Sequence, residues 1–247
     1  MDRDHGRPER RFRALVVVFA YDEGVKLERT LSRFPRERDY ELLVMDDGST
    51  DGSTRRAAEN GYTVQRNETN QGIGAAMRRA IEHARESGYD VIVMFAGNDK
   101  DRPEEIESLL APIRRGESKL VQGSRYLPGG RHGGMPFYRQ VATRYVHPLL
   151  FSLAARRRMT DTTNGFRAIA LSLFDDPRIN LDQGWMHRYE LEPYVLYKAI
   201  RLGHGVREVP VTKIYPPRRL GYTKMKPITG WWSILRPVFL LGLGLRS

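Results

Sequence analysis

The sequence of 247 residues contains no cysteine. The lack of thiols excludes disulfide-stapled scaffolds and metal centres held by cysteine. The sequence also lacks an apolar run of the roughly 18–20 residues that a membrane-spanning helix needs. The charged segment Met1–Arg13 has no apolar stretch typical of a secretory signal. With 40% apolar and 10% aromatic residues, the chain can form a core, which argues against extended disorder.

Acidic residues become scarce in the second half of the chain. The formal net charge is +11, yet residues 1–112 sum to −4, whereas residues 113–158 carry +9 and residues 201–247 carry +8. Basic surfaces attract phosphate-bearing partners and anionic membranes. A solvated basic face that serves only solubility is the simpler explanation, and charge alone does not decide between them.

Apolar, β-branched runs alternate with helical patterns, which predicts an α/β fold with a mostly parallel central sheet and helices on both faces. The predicted strands are Ala14–Phe19, Glu41–Met45, Tyr62–Gln65, Asp90–Phe95, Lys119–Gln122 and Arg207–Ile214. Four glycines in Leu127–Pro136 predict a mobile loop. A helix over Tyr138–Leu153 should be disturbed at Pro148.

Three acid-rich clusters follow three predicted strands, whose carboxyl ends share one edge of a parallel sheet. The six carboxylates belong to Asp22, Glu23, Asp46, Asp47, Asp99 and Asp101. Each alone is explained by a turn or a helix cap. Together they should repel one another, and a divalent cation that bridges to phosphate would relieve the repulsion. Oxygen ligands of this kind favour Mg²⁺ or Mn²⁺.

The order of several motifs resembles the inverting family 2 glycosyltransferases of the GT-A fold. The segments that carry the resemblance are Phe19–Glu23, Asp46–Asp51, Asn70–Ala76, Gly123–Tyr126, Asp161–Arg167, Glu208–Pro210 and Arg218–Lys224. Within that family they are similar to the dolichyl- or polyprenyl-phosphate sugar synthases, the dolichol-phosphate mannose synthase-like branch. The resemblance extends from Ala14 to Lys224 and implies a single catalytic domain over residues 14–224, after a flexible tail of residues 1–13.

The resemblance implies a nucleotide-sugar donor, UDP- or GDP-linked. The residues expected to hold it are Ala20, Tyr21, Glu23, Asp46, Asp47, Gly74 and Asn98. Asp99 and Asp101 stand at the position of the metal-binding Asp-x-Asp of the family, and the Mg²⁺ or Mn²⁺ cofactor is expected there. The segment is one residue longer than the family pattern, so which of Asn98, Asp99 and Asp101 binds metal stays open. Lys100 between them offers positive charge of its own.

The resemblance also implies the reacting groups. Arg125 and Arg139 should contact phosphate, while Arg218 and Lys224 should clamp the diphosphate or the lipid phosphate. Asp161 begins the segment in which other members carry a catalytic base. A polyprenyl phosphate acceptor is already ionised at neutral pH, so Asp161 would then orient other groups and not remove a proton.

Two other functions stay open at this point. The first is transfer of the sugar to a soluble hydroxyl acceptor, for which Asp161 would have to act as a true base. The second is binding of nucleic acid or of a membrane surface without catalysis. The carboxylate-rich edge argues against nucleic acid, because acids repel a phosphate polymer.

The C-terminal segment 225–247 combines the pair Trp231-Trp232 with Arg236 and the apolar run Val238–Leu245. Aromatic and basic residues beside a short apolar run are typical of an interfacial segment. A helix packed on the domain, or an oligomer contact, is the alternative. The interfacial interpretation places the protein in the cytoplasm, peripherally on the cytoplasmic face of a membrane.

Overall fold

The computed structural model describes residues 11–221 and 229–246. The strands in these residues are β1 (Ala14–Ala20), β2 (Tyr40–Asp46), β3 (Thr63–Arg66), β4 (Val91–Ala96), β5 (Leu120–Ser124), β6 (Arg131–Gly133), β7 (Arg167–Ala170), β8 (Val206–Pro210) and β9 (Thr212–Ile214). The α-helices are α1 (Val25–Leu31), α2 (Ser53–Glu59), α3 (Ile73–Glu86), α4 (Ile106–Arg114), α5 (Phe137–Val141), α6 (His147–Ala155), α7 (Leu191–Arg201) and α8 (Thr229–Gly242).

Seven of the strands form one sheet in the order β3-β2-β1-β4-β7-β5-β8. Neighbouring strands run parallel, except that β7 lies antiparallel between β4 and β5. The sequence did not predict β7 or α7. The predicted class, an α/β fold with a mostly parallel central sheet, is confirmed.

Strand β1 shows why helices cover both faces of the sheet. All seven of its residues are buried, and alternate side chains enter different apolar clusters. Leu15 and Val17 pack in the cluster that includes residues of α3, α6, α7 and α8. Val16 and Val18 pack in the cluster that includes residues of α1 and α4. A strand that is apolar on both sides needs a helical layer on each.

The predicted strand Arg207–Ile214 divides at Val211. The Val211 N–H donates to the Ser124 carbonyl, and the Val211 carbonyl accepts from the Arg131 N–H at 3.0 Å. The chain therefore leaves the large sheet, and β9 pairs in parallel with β6 in a second, two-stranded sheet. The predicted glycine-rich loop thus contains a strand, because Val211 brings a pairing partner beside it.

Helices α5 and α6 are joined by a π-helical segment, Ala142–Val146, just before Pro148. Proline has no N–H to donate, so a wider turn at this point accommodates it. The predicted helix Tyr138–Leu153 is present, and its irregular part lies at residues 142–146, ahead of Pro148, where the disturbance was predicted.

Helix α8 packs on α6 and α7. Ile234, Val238 and Leu241 are buried, and the Tyr197 hydroxyl donates to the Leu241 carbonyl at 3.0 Å. One face of α8 therefore belongs to the domain core. Among the described helices, none is both long enough and apolar enough to span a bilayer.

Candidate functional site

A cavity of about 660 Å³ lies at the carboxyl ends of β1, β2 and β4. The strand register places these ends side by side, with Ala20 paired to Asp46 and Phe19 paired to Ala96. Parallel sheets open their ligand sites at this edge. The predicted site residues that line the cavity are Ala20, Tyr21, Glu23, Asp47, Asn98, Arg125 and Arg139.

The first two acid-rich turns are locked to each other. The Asp22 carboxylate accepts the Thr50 N–H at 2.6 Å and the Asp51 N–H at 3.2 Å, while the Asp22 N–H donates to the Ser49 hydroxyl at 3.0 Å. Asp22 has a φ of 44°, a left-handed conformation that this hydrogen bonding supports. These carboxylate contacts hold the backbone of one turn against the other.

Asp46, a predicted donor-binding residue, does not line the cavity and forms hydrogen bonds within its own turn. One of its carboxylate oxygens accepts the Ser49 N–H at 2.8 Å, and the other accepts the Thr54 hydroxyl at 2.6 Å. The residue is fully buried and lies behind the cavity wall. Its hydrogen bonds shape the turn that precedes α2.

Asp47 and Gly74 fix the position of the N-terminus of α3. Asp47 lines the cavity, and its oxygens accept the Gln71 N–H at 3.0 Å and the Gly72 N–H at 2.9 Å. Gly74 lies away from the cavity, because its N–H donates to the His187 carbonyl at 3.0 Å. A Cβ at Gly74 would stand 2.9 Å from the Arg188 carbonyl. Close packing explains a glycine at this position, and the predicted donor contact of Gly74 stays a prediction.

The predicted metal ligands Asp99 and Asp101 are each paired with a basic side chain, and neither lines the cavity. Asp99 takes a left-handed φ of 63° and its carboxylate pairs with Arg33. Both Asp101 oxygens accept from the Lys213 ammonium at 2.7 Å, and Asp101 is buried. Each carboxylate is thus neutralised by its own cation, outside the cavity wall. In residues 11–221 and 229–246, no group of three or more histidine or acidic side chains is arranged to hold a metal ion.

Asn98 and Lys100, which alternate with those two acids, line the cavity. The Lys100 ammonium lies 4.3 Å from the centre of the Tyr215 ring. Burial, together with the charges of Lys213 and Arg139, lowers the pKa of Lys100 to about 7. The Asn98 Oδ1 atom is buried and has no hydrogen-bond partner among the described residues.

Arg125 and Asp161 form a buried ion pair. The guanidinium donates to both carboxylate oxygens at 2.6 Å and 2.8 Å, and the Arg125 N–H adds a third bond at 3.1 Å. Burial opposes the charge on Arg125, but the Asp161 carboxylate outweighs it and raises the Arg125 pKa above its usual value. Arg125 lines the cavity and Asp161 lies behind it. The geometry is compatible with the expectation that Asp161 orients a neighbour, because both of its carboxylate oxygens are bound to Arg125.

The cavity wall is rich in cations. The lysines and arginines that line it are Lys26, Lys100, Arg125, Arg139, Arg188 and Lys213. Lys26 pairs with Glu23 at 2.6 Å. Sequence reasoning missed Arg188 and Lys213 as site residues. A signal for Lys213 was available, because a lysine within the apolar strand run near Val211 requires a buried carboxylate partner.

Two predicted residues are only partly covered or not covered by the structure. Arg218 begins a short 3₁₀ turn, Arg218–Leu220, and its side chain lies outside the described part. Lys224 also lies outside the described residues. Their expected clamp on phosphate stays a prediction.

An exposed apolar surface borders the cavity. Helix α8 contributes Trp231 and Ile234 to the cavity wall and exposes other apolar side chains to solvent. We define the apolar surface as the exposed residues of α5, α6, α8 and the segments next to them. Its members are Phe137, Tyr138, Tyr145, Val146, Leu149, Leu153, Trp232, Phe239, Leu243 and Leu245. A patch of this kind marks an interaction site.

Cationic side chains in a partly buried cavity can hold anionic groups and stabilise negative charge that develops during a reaction. The adjoining apolar surface extends the site toward a ligand with an apolar portion. The arrangement therefore suits an anionic ligand that is joined to, or presented beside, hydrocarbon.

The chain is similar to known proteins in both sequence and fold. The model of glycosyl transferase family 2 matches residues 15–176. The chain is 31% identical over 219 residues to undecaprenyl-phosphate mannosyltransferase from Micrococcus luteus, covering 86% of this chain and 87% of the relative. It is 30% identical over 220 residues to polyprenol monophosphomannose synthase from Mycolicibacterium smegmatis, covering 86% of this chain and 81% of the relative.

Among solved structures, the fold is similar to that of glucosyl-3-phosphoglycerate synthase from Mycobacterium tuberculosis. That protein was crystallised with Mn²⁺, UDP and glucosyl-3-phosphoglycerate. The TM-score is 0.65 at 20% identity, covering 95% of this chain and 80% of the other. At this identity the likeness concerns the fold.

Proposed function

From the premise that the chain belongs to glycosyl transferase family 2, we propose that it transfers a sugar from a nucleotide-sugar to a polyprenyl phosphate. Of two relatives that match most of the chain, one is named as a mannosyltransferase of undecaprenyl phosphate and the other as a synthase of polyprenol monophosphomannose. The cavity at the ends of β1, β2 and β4 supports a nucleotide-sugar site, since ligands of parallel sheets bind at this edge. The sugar and the base, uracil or guanine, are left to experiment.

Helix α8 is the observation that carries the acceptor assignment. Trp231 and Ile234 line the cavity, whereas Trp232 and Phe239 are exposed. A lipid phosphate needs its charged head among cations and its hydrocarbon along an apolar path. The cavity wall and the apolar surface provide these two environments next to each other.

The chemistry needs no proton to be removed from the acceptor. An ionised phosphate oxygen attacks C1 of the sugar as the C1–O bond to the nucleoside diphosphate breaks, with inversion at C1. Arg125 and Arg139 are the side chains proposed to hold the phosphates and the charge of the leaving group. Asp161 positions Arg125 through its two hydrogen bonds. No step is assigned to a divalent cation, because Asp99 and Asp101 are committed to protein cations.

The assay is transfer of radiolabelled sugar to a short polyprenyl phosphate, with UDP- and GDP-linked sugars as donors. The expected result is a lipid-linked product from at least one donor. An Arg139→Gln variant should lose most of that product while keeping its thermal stability, because Arg139 is only partly buried. A folded protein that forms no lipid-linked sugar from any donor would contradict the proposal.

We also propose that the apolar surface rests on a membrane, which would present the acceptor. Leu153 on α6 and Leu243 beside α8 are 68% and 71% exposed. Burying two leucines in lipid favours binding by about 3–6 kcal/mol. The predicted location on the cytoplasmic face is part of this proposal.

Flotation with vesicles that contain anionic lipid tests membrane binding. The double variant Leu153→Ser, Leu243→Ser should float far less than the unmodified protein. Val25→Ser is the matched control, since Val25 is 42% exposed on α1, which packs on the other face of the sheet. Equal flotation of both variants and the unmodified protein, or no flotation of any of them, would reject the membrane proposal.

A further inference from the structure

We infer that the Lys100 ammonium binds the diphosphate of the donor in the place where the family motif would supply a metal ion. This inference rests on the proposed function for the identity of the donor. Its basis is the segment Asn98–Asp101. Asn98 and Lys100 line the cavity, whereas Asp99 and Asp101 do not.

The backbone of this segment explains the alternation. Asp99 has a φ of 63°, and its N–H donates to the Thr30 hydroxyl at 3.0 Å. The carboxylate of Asp99 is thereby directed to Arg33, away from the cavity. Lys100 follows and lines the cavity, and the Ile214 N–H donates to its carbonyl at 3.0 Å. The turn therefore presents a cation where the sequence pattern led us to expect carboxylates.

Two of the neighbouring cations, Lys213 and Arg125, are already paired with carboxylates. Lys213 donates to both oxygens of Asp101 and to the Asn164 side chain. Arg125 is held by Asp161. In the described part of the chain, Lys100 has no carboxylate partner within ion-pair distance. It is 7% exposed and meets the face of the Tyr215 ring instead.

An almost buried ammonium without an anionic partner is costly to fold. A diphosphate in the cavity would offset this unfavourable free energy by placing an anion beside the ammonium. A metal ion at the same place would stand beside Lys100, and like charges repel. The position of the Lys100 ammonium therefore fits a bound anion better than a bound cation.

The test is the affinity of the full-length protein for UDP, GDP and inorganic pyrophosphate, each measured with EDTA and with Mn²⁺. The variants are Lys100→Met, which removes the charge and keeps the length, and Lys119→Met. Lys119 is the control because it lies outside the cavity and donates to the Ser172 carbonyl. Thermal unfolding of each variant verifies folding, and Lys100→Gln replaces Lys100→Met if the latter is unfolded.

The inference predicts that Lys100→Met weakens diphosphate binding at least about tenfold, as expected for loss of a charge-assisted hydrogen bond. Lys119→Met should leave it unchanged, and EDTA should alter the affinity of the unmodified protein less than about threefold. Equal affinities of Lys100→Met and the unmodified protein would overturn the inference. A tenfold loss in EDTA that Mn²⁺ restores would overturn it as well, whatever Lys100→Met does.

The same experiment separates this inference from the proposed function. If UDP or GDP binds equally well without Lys100, the proposed nucleotide-sugar donor is retained and the proposed role of Lys100 is rejected. Lys100-dependent binding of pyrophosphate without binding of UDP or GDP would support the lysine and reject the nucleotide donor. Failure of all three ligands to bind the folded, unmodified protein would reject both.

Discussion

The two sides of the cavity use charge in opposite ways. On the side built by residues 20–74, carboxylates accept hydrogen bonds from the chain itself, as Asp46 does from Ser49 and Asp47 does from Gly72. On the side built by residues 98–234, cations line the cavity. Most carboxylates of the acidic motifs are thus bound within the protein, although Glu23 and Asp47 also line the cavity, and six basic residues face the space in which a ligand would bind.

This contrast shows how converging carboxylates can be accommodated without a metal ion. Asp22, Asp46 and Asp47 take backbone N–H groups, and Asp99 and Asp101 take Arg33 and Lys213. Hydrogen bonds to the charged form relieve the repulsion that the sequence implied. A divalent cation is one way to relieve such repulsion, and hydrogen bonds and ion pairs within this chain are another.

The largest effect on stability should come from breaking the buried pair on the cationic side. Asp161→Asn leaves the Arg125 charge buried and uncompensated, and should lower the free energy of unfolding by about 3–5 kcal/mol. Urea denaturation measures this loss. Adding Arg125→Met to Asp161→Asn should recover a large part of it, because the unpaired charge is then gone.

That prediction also separates positioning from base catalysis. If Asp161 were a base with little structural role, Asp161→Asn would abolish transfer and leave the free energy of unfolding within about 0.5 kcal/mol of the unmodified value. That result would contradict the account of Arg125 and Asp161 as a structural pair.

His147 links α6 to α8 on the same side, between the Thr162 hydroxyl at 2.6 Å and the Ile234 carbonyl at 3.3 Å. Burial lowers the pKa of His147 from 6.5 to about 4. The unfolded chain therefore takes up a proton below about pH 6.5, while the folded chain resists it down to about pH 4. Stability should fall over this window by about 3 kcal/mol.

Urea denaturation at pH 7 and pH 4.5 measures that effect, with His147→Gln as the comparison. The variant lacks the titrating group, so its stability should fall less between the two pH values than that of the unmodified protein. Equal losses in both proteins would mean that other groups account for the acid sensitivity.

On the side of the cavity built by residues 20–74, stability should depend more on the packing of side chains than on their charge. Gly74→Ala places a Cβ 2.9 Å from the Arg188 carbonyl and should cost about 1–3 kcal/mol in unfolding free energy. Gly184→Ala is the control, because no atom lies within 4 Å of a Cβ there. The control should change stability by less than about 0.5 kcal/mol. Equal effects of the two substitutions in a urea titration would contradict the packing role of Gly74.

Much of the fold could be predicted because it depends on local patterns. The buried runs at β1, β2, β4 and β5 identify parallel strands, and the motif Asp46–Asp51 identifies the family. The antiparallel β7 was missed because Arg167–Ala170 is short and Ile169 is its only β-branched residue. Strand β6 was missed because its pairing with β9 depends on residues about eighty positions away.

The site was predictable at the level of the segment and less so at the level of the side chain. Asp47 lines the cavity, as its position after β2 suggested. Its hydrogen-bond donors, the N–H groups of Gln71 and Gly72, come near it only in the folded chain. Asp99 has a left-handed φ, and that single dihedral decides which side chains of its segment enter the cavity. Asp is among the non-glycine residues that adopt this conformation most often, but residue type alone does not identify which Asp of a chain does so.

The most direct test of the account compares two acceptors that differ in one group. Sugar transfer is measured with a short polyprenyl phosphate and with the corresponding free polyprenol, at equal concentration and with the same donor. The account predicts product with the phosphate and none with the alcohol, because the cavity offers cations and Asp161 is already paired with Arg125. Efficient transfer to the alcohol, lost in Asp161→Asn, would contradict it.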